Sequence, residues 1–434
     1  MKKVHITTLG CAKNLVDSEV LSGQLNSRSY SITTDPPEAD LIIINTCGFI
    51  TDAKKESLQA ILEAIEIKKQ NPGLKVYVTG CLSQRYKTKL AENLKEIDAF
   101  FGTESYGQIL ESLREDNFHA EEMYNIRARN VSNHFAYVKI SEGCNHTCAF
   151  CAIPAIRGSH RSRPIKEILK EAEILAGQGV KELIVVSQDT SYYGKDLYGQ
   201  QRIIELLTEL AGMNVFTWIR PLYWYPSNFP MAYLDLMNRF PAMIPYLDMP
   251  VQHASDRVLA HMRRAESESN LYEFYKQVRM IRPDIALRTT LILGHPGEQE
   301  EDFKKLKDFI RKIRFDRLGT FIYSDEEGTA AFQAEEKISN RTASRRRDQI
   351  MKIQQQIALE KNEQFLDTQQ QVLIDSYHDD GNYYSGRTYR DAPEIDNEVI
   401  IQVSEFKENL IGSFQQVKIH DVSEYELYGS LVVN

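Results

Sequence analysis

Six cysteines carry the most reactive side chains of this sequence, and they fall into two sets of three. Cys144, Cys148 and Cys151 lie together in "SEGCNHTCAFCAIP" (141–154). Four arrangements use thiols spaced in this way. Positions i, i+4 and i+7 share one face of a helix, but Gly143, Asn145 and Pro154 oppose a helix over this stretch. Structural zinc wants a fourth ligand, with His146 and His160 as candidates. Such sites usually come as two separated ligand pairs, and no second pair is visible. A ferredoxin-type cluster needs a fourth cysteine that the run lacks. A fourth arrangement is a 4Fe–4S cluster with one iron left open.

Cys11, Cys47 and Cys81 are 36 and 34 residues apart. Each directly follows an apolar, β-branched run: "VHITTLG" (4–10), "ADLIIINTCG" (39–48) and "KVYVTGC" (75–81). In a parallel sheet all strand C-termini share one edge, where ligands bind. Three thiols distant in sequence then converge in space. The alternative is three separately buried small hydrophobes, a common fate of free cysteine. One placement repeated three times favours convergence, and with it a second cluster bound by three thiolates, whose open iron could hold sulfur.

The elements that must position these residues alternate. Helical spacing over 14–25 and 56–70 separates the first three strands and predicts a parallel α/β domain over residues 1–120. Residues 120–135 read as a connector. From 136 six more strands are expected, at 136–141, 182–188, 215–223, 244–252, 285–294 and 317–324, with helices such as 164–178 and 300–313 between them. Six units are fewer than the eight of a closed barrel, so an open, partial (β/α)6 barrel is expected over 134–365, ending in one long helix at 341–365. Five short strand-like runs with turn signals follow in 366–434, which predicts a small all-β barrel.

Bulk properties narrow the function. Hydrophobic residues make up 42% and charged residues 26% of the 434, which places the chain among ordinary globular proteins. No apolar run approaches a membrane span, and "MKKVHITTLG" has no apolar signal-peptide core, so a cytoplasmic protein without membrane contact is expected. Six cysteines are too few for a disulfide scaffold. The net charge of −9 sits in one place: residues 366–434 hold 13 Asp/Glu against 4 Lys/Arg. An acidic module is a poor phosphate binder; it suits a basic protein partner, or merely keeps itself soluble.

The run CxxxCxxC with Phe150 before the last cysteine resembles the radical S-adenosylmethionine (radical SAM) superfamily. There the open iron is chelated by the amino and carboxylate groups of S-adenosylmethionine, which implies that the cofactor fills the vacant corner at Cys144, Cys148 and Cys151. "SQDTS" (187–191) ends the second barrel strand, and "RTTLILGHPGE" (288–298) ends another in Gly294 and Gly297. Their place at strand ends makes Ser187, Gln188, Asp189, Arg288, Thr290 and Gly294, with Phe150, candidate cofactor contacts; taken singly, each is equally turn chemistry. "IRGSHRSRP" (156–164) is either a carboxylate-binding loop or a solvated one.

The whole chain resembles the methylthiotransferases, which join a three-cysteine N-terminal domain, a radical SAM partial barrel and a C-terminal β-barrel called TRAM. The matching segments are "TLGCAKNLVDSE" (8–19), "INTCGFI" (44–50), "VTGCLSQRY" (78–86) and "SEGCNHTCAFCAIPAIRGSHRSR" (141–163). "MPVQHASDRVLAHMRR" (249–264), "YSDEEGTAAF" (323–332) and "GRTYRDAPEIDNEV" (386–399) resemble the branch that acts on a ribosomal protein. The resemblance implies two 4Fe–4S clusters, on Cys144, Cys148 and Cys151 and on Cys11, Cys47 and Cys81. It implies reductive cleavage of S-adenosylmethionine to a 5′-deoxyadenosyl radical and hydrogen removal from the β-carbon of an aspartate in small-subunit protein twelve, free or in an assembling subunit. It also implies sulfur insertion and methyl transfer from a second S-adenosylmethionine, with an electron-donor protein and a sulfur donor as partners. The rival substrate, a transfer-RNA adenosine, calls for basic stripes that residues 366–434 lack. Rivals of other classes are an iron–sulfur electron carrier and a zinc-stabilised nucleic-acid-binding protein. Both triads are expected to face one shared cavity.

Overall fold

A computed structural model of the protein describes residues 1–28, 30–114, 120–129 and 134–432. The first unit runs β1 (Lys2–Thr8), α1 (Ala12–Asn26), β2 (Tyr30–Ile32), β3 (Leu41–Thr46), α2 (Thr51–Gln70), β4 (Lys75–Gly80), α3 (Cys81–Asn93), β5 (Ala99–Phe100) and α4 (Tyr106–Ser112). Its five strands are all parallel, in the order β2-β1-β3-β4-β5. Strand β3 is buried along its whole length, as a strand covered by helices on both faces must be. Ile61 and Ile65 of α2 join Ile42, Ile44, Val76 and Val78 on one face. Val16 and Val20 of α1 join Ile43 and Tyr77 on the other. The strands leading into Cys11, Cys47 and Cys81 are β1, β3 and β4, three neighbours in the sheet. The edge strands β2 and β5 were not expected from the sequence; at three and two residues they are too short to show a pattern.

The second unit follows a connector whose residues 130–133 lie outside the described residues. It runs β6 (Phe135–Lys139), β7 (Ser141–Glu142), α5 (Ile153–Arg157), β8 (Arg161–Ser162), α6 (Ile165–Gly177), β9 (Glu182–Val186), α7 (Lys195–Tyr198), α8 (Ile203–Gly212), β10 (Trp218–Pro221), α9 (Ala232–Arg239), β11 (Tyr246–Asp248), α10 (Asp256–His261), α11 (Glu268–Ile281), β12 (Ala286–Leu293), α12 (Glu300–Ile313) and β13 (Arg317–Ile322). The order β10-β9-β6 and the order β11-β12-β13 are both parallel, and a parallel bridge from Ile219 to Met243 joins them. Among the described residues β13 makes no ladder with β6, so the wall stays open, as the count of six units predicts. Outward side chains such as Val138, Leu183, Val185, Ile219, Leu287 and Leu291 meet the helices in one large core. Helix α12 shows why: Phe303, Leu306, Ile310 and Ile313 form its buried stripe, and Gln299 and Asp302 close a reciprocal capping box at its start.

Helix α13 (Asn340–Asn362) crosses to five antiparallel and parallel strands: β14 (Gln369–His378), β15 (Tyr383–Arg387), β16 (Glu398–Gln402), β17 (Phe414–Val422) and β18 (Glu426–Leu431). They close into a barrel in the order β14-β15-β16-β18-β17, with β17 returning onto β14. All five runs expected from the sequence are present; Val433, at the end of the last, lies outside the described residues.

The half-barrel is closed at both ends by the other two units. Its inner residues Phe135, Tyr137, Ile184, Trp218 and Tyr246 share a core with Val16 and Val20 of α1 and with Leu373 and Ala392 of the small barrel. At the strand N-termini, Glu182 bridges Arg220 and Arg387, each bond being 2.7 Å. Arg317 pairs with Asp391 at 2.5 Å and Arg288 with Asp396 at 3.1 Å. The loop between β15 and β16 is therefore the floor of the half-barrel. The first unit covers the opposite, C-terminal end.

Candidate active site

The second triad sits on a loop fastened by its own backbone. The β7–β8 hairpin closes its base, Cys144 N donates to Gly158 O at 3.1 Å, and Ala149 N donates to Met262 O at 2.9 Å. A Cβ on Gly143 would lie 2.1 Å from Ser159 O, so only glycine lets the two arms of the loop meet. Cys144, Cys148 and Cys151 line a cavity of about 390 Å³. They ring a space rather than a point: among the described residues no three His, Cys, Asp or Glu side chains converge on a single-ion site. His146 turns its Nε2 to Asp189 at 2.6 Å and stacks on Tyr225 with centroids 3.8 Å apart. His160 turns its Nε2 to Ser162 at 3.2 Å. Both histidines thus have other partners. The amides of His146 and Ile153 donate to the sulfurs of Cys144 and Cys151 at 3.4 and 3.5 Å, and the Arg264 guanidinium lies 4.4 Å from the centre of the Tyr225 ring. Burial pushes the Cys144 thiol up to about 11 and the Cys151 thiol up to about 12. Thiols so placed stay protonated until an electron-poor metal takes them. All six cysteines are free.

The first triad is gathered by close backbone packing. A Cβ on Gly10 would lie 2.7 Å from Cys47 Cβ and 3.0 Å from its Sγ. A Cβ on Gly48 would lie 2.8 Å from the Cys81 carbonyl carbon, so the turns that carry the three cysteines lie side by side at one edge of the sheet. Burial pushes Cys81 up to about 11 and also raises Cys47. Cys11 is exposed; the protein crowded around it would still raise its thiol, but the charges of Lys13 and Arg157 outweigh that and hold it below its ordinary value.

The two triads are neighbours. Cys81 opens α3 and packs with Ala152, next to Cys151, and with Ile156 of α5. Helix α5 ends in Arg157, whose guanidinium field lowers all three thiols of the first triad. Arg157 is held by Glu142 at 2.7 Å and by Asn14 Oδ1 at 2.5 Å. Lys139 joins the same network, 2.6 Å from Asp17 and 2.7 Å from Glu142. Burial opposes the charge on Glu142, yet Lys139 and Arg157 hold its carboxyl down at about 2. Asp17 and Asn14 come from α1, the rest from the half-barrel, so a buried ionic seam joins the two units between the triads.

The strand ends supply polar groups in need of partners. Ser187 Oγ bonds Ser141 Oγ at 2.5 Å, Gln188 Nε2 and Asp189 Oδ1 are buried with no hydrogen-bond partner, and Gln252 Oε1 is in the same state. These orphans fit a polar small molecule at the mouth of the half-barrel. Tyr223 and Gln252 hold φ of 61° and 69° there, a left-handed conformation that costs a bulky residue energy and gathers at functional sites. The other expected contacts differ in placement. Phe150 meets His295 edge-on at 6.4 Å. Arg288 is tied to Asp248 at 2.8 Å as well as to Asp396. Thr290 O accepts from Gln252 N at 2.9 Å. Gly294, with φ of 78°, makes its close approach to protein: a Cβ would lie 2.5 Å from Ala343 Cβ on α13.

Comparison with known proteins agrees with this layout. Residues 3–102 match the uncharacterized protein family UPF0004, residues 138–310 the radical SAM superfamily and residues 368–432 the TRAM domain. The ribosomal protein uS12 methylthiotransferase RimO of Bacteroides thetaiotaomicron is 45% identical over 434 residues, 99% of this chain and 98% of that protein. The protein of the same name from Acetivibrio thermocellus is 42% identical over 99% of this chain and 98% of its own length. The chain belongs to the RimO family of radical SAM methylthiotransferases. Among solved structures, the radical SAM methyltransferase TsrM from Kitasatospora setae shares the fold at a TM-score of 0.55 and 13% identity, covering 74% of this chain and 73% of that one.

As a RimO enzyme the chain uses an iron–sulfur centre and S-adenosylmethionine, and the free thiols and orphaned polar atoms suit them. Several residues of the RimO site escape sequence reasoning. Lys13 and Arg157 lie inside the quoted motifs but show no spacing signal of their own. Tyr223, Tyr225, Gln252 and Arg264 come together only through strand ends and left-handed backbone.

Proposed function

We propose that this enzyme adds a methylthio group to the β-carbon of an aspartate in ribosomal protein uS12, in the cytoplasm. We divide it into a cysteine-bearing unit (1–120), a radical SAM unit (134–365) and a TRAM unit (366–434). Cys144, Cys148 and Cys151 hold one 4Fe–4S cluster, and Cys11, Cys47 and Cys81 hold a second. What supports this reading above all is one juxtaposition: Cys81 packed on Ala152, beside Cys151. When bound, the clusters and S-adenosylmethionine supply hydrogen abstraction, sulfur and methyl, chemistry that no side-chain base can perform on an unactivated C–H bond.

The chain's own part is placement. Ser187, Gln188 and Asp189 close on the cofactor from the end of β9, with the orphaned Gln188 amide and Asp189 oxygen as its hydrogen-bond partners. His146, held between Asp189 and Tyr225, fixes that carboxylate. Thr290 and Gly294 border the cofactor from β12, Phe150 steadies the cysteine loop against His295, and Arg288 braces the wall through Asp248 and Asp396. The α1 and α5 seam excludes water between the triads, which keeps a reactive carbon from side reactions. An electron-donor protein and a sulfur donor complete the system.

The TRAM unit supports a protein substrate over RNA. Among its described residues eight Asp/Glu are exposed against two lysines, while Arg387 and Arg390 are buried in ion pairs. Such a face repels phosphates and attracts a basic ribosomal protein. The test is anaerobic reconstitution, reduction in the presence of S-adenosylmethionine, and parallel incubation with uS12 and an anticodon stem-loop. Mass spectrometry should find the methylthio group on uS12 alone; a modified RNA with unmodified uS12 overturns the substrate, and absence of 5′-deoxyadenosine overturns the chemistry.

A further inference from the structure

Lys13 stands two residues after Cys11, in the first turn of α1, and sends its side chain into the mouth of the half-barrel. Only 5% of it is exposed. Its Nζ donates to Ser187 O at 3.3 Å and lies 3.9 Å from the centre of the Tyr223 ring. Neither partner is an anion, and among the described residues no carboxylate lies within ion-pair distance of it. Four other cations around this junction are matched. Lys139 has Asp17 and Glu142, Arg157 has Glu142, Arg264 has Glu266, and Arg288 has Asp248 and Asp396. The opposing charges whose fields reach Lys13 are that of Cys11, which the proposed cluster takes up, and those of Glu142 and Asp248, which are already engaged. A buried ammonium left with a neutral carbonyl and a ring face weakens the free protein. An incoming anion would complete it.

We propose that Lys13 receives the carboxylate of the acidic side chain being modified, and so makes the site specific for aspartate. This rests on the substrate reading given above. In an aspartate the reacting β-carbon is one carbon–carbon bond, about 1.5 Å, from the carboxylate carbon. A cation that holds the carboxylate thus fixes the reacting carbon beside itself. Lys13 has Cys11 of the first triad on one side and Ser187, at the cofactor end of β9, on the other. Sulfur has to arrive from the first direction and hydrogen has to leave in the second, and the ammonium stands between them. An isosteric asparagine would leave the buried cation unmatched, which is how a polar site rejects a near-copy of its substrate.

S-adenosylmethionine brings a carboxylate of its own, and the test separates the two. Lys13→Met and Lys13→Gln remove the charge and Lys13→Arg retains it; all are prepared as reconstituted full-length holoenzyme with iron and sulfide matched to wild type. Fluorescence anisotropy measures binding of uS12 carrying its target aspartate and of uS12 with asparagine in its place, with S-adenosylmethionine bound. Wild type is expected to prefer the aspartate form by about 10- to 100-fold, the range of a charge-assisted hydrogen bond. Both neutral variants bind the two forms alike, Lys13→Arg keeps the preference, and the Kd for S-adenosylmethionine without uS12 does not move. Lys13→Met melts at or above wild type; should it fail to fold, Lys13→Gln decides. A preference that persists in a folded neutral variant overturns the assignment, as does weakened S-adenosylmethionine binding with the preference intact. Failure of the substrate reading looks different: wild type would then bind neither form of uS12.

Discussion

His253 shows how burial fixes chemistry at single residues. It is fully buried, its Nδ1 accepts from Ser255 N at 3.0 Å, and burial holds its ring neutral down to about 3. The unfolded chain takes up that proton near pH 6.5. Below 6.5 the unfolded state binds a proton that the folded state refuses, so stability falls as the pH drops, by up to about 1.4 kcal/mol per unit for one such group. His295, held down at about 4 by burial, adds to the same slope. Urea midpoints measured from pH 7 to 4.5 should decline in wild type and decline less in His253→Asn, whose amide oxygen still accepts from Ser255. At Arg157 the effect is on packing of charge: Arg157→Met leaves Glu142 with one cation and Asn14 Oδ1 with only the weak Cys81 thiol donor at 3.9 Å. A loss of about 3–5 kcal/mol is expected by denaturant titration. The cysteines were legible because type and spacing declare them. Lys13, Tyr223 and Gln252 were not, since their roles come from a cross-unit reach and from left-handed backbone that no local pattern encodes.

At the scale of elements, the parallel sheet puts three thiols on one edge and the α5 turn puts a second triad beside them. Gly10 is the tightest point of that arrangement. Gly10→Ala sets a methyl 2.7 Å from Cys47 Cβ at a φ of 97°, a conformation that costs an L-residue about 1–3 kcal/mol. If each triad holds a cluster as proposed, this variant should bind about half the iron of wild type after reconstitution, because only the first triad is disturbed; the triple variant Cys144→Ala, Cys148→Ala, Cys151→Ala should lose the other half. Iron and sulfide analysis, with electron paramagnetic resonance to identify the surviving centre, checks both. All six half-barrel strands could be read from the sequence: the buried ones are apolar runs, and β13, whose Phe321 is exposed, still shows β-branched and aromatic residues. Strands β2 and β5 could not, since they owe their existence to a neighbour's ladder.

Over the whole molecule, charge that looked like solvating charge proves to be mortar. Asp375, Asp391 and Asp396 belong to the acidic C-terminal stretch, yet they pair with Arg387, Arg317 and Arg288. Composition located the acids but gave no sign of which ones face water. Glu182 is fully buried between Arg220 and Arg387. Arg387→Met should therefore cost about 3–5 kcal/mol, with loss of the docked small barrel visible as new protease cleavage between α13 and β14.

That floor also dictates a timetable. The ribosome releases the chain from its N-terminus, so the mouth of the half-barrel is roofed long before its base is sealed. Until residues 387–396 emerge, Glu182, Arg220, Arg288 and Arg317 wait with partners missing. A nascent protein that stalls short of its final strands is an unfinished vessel.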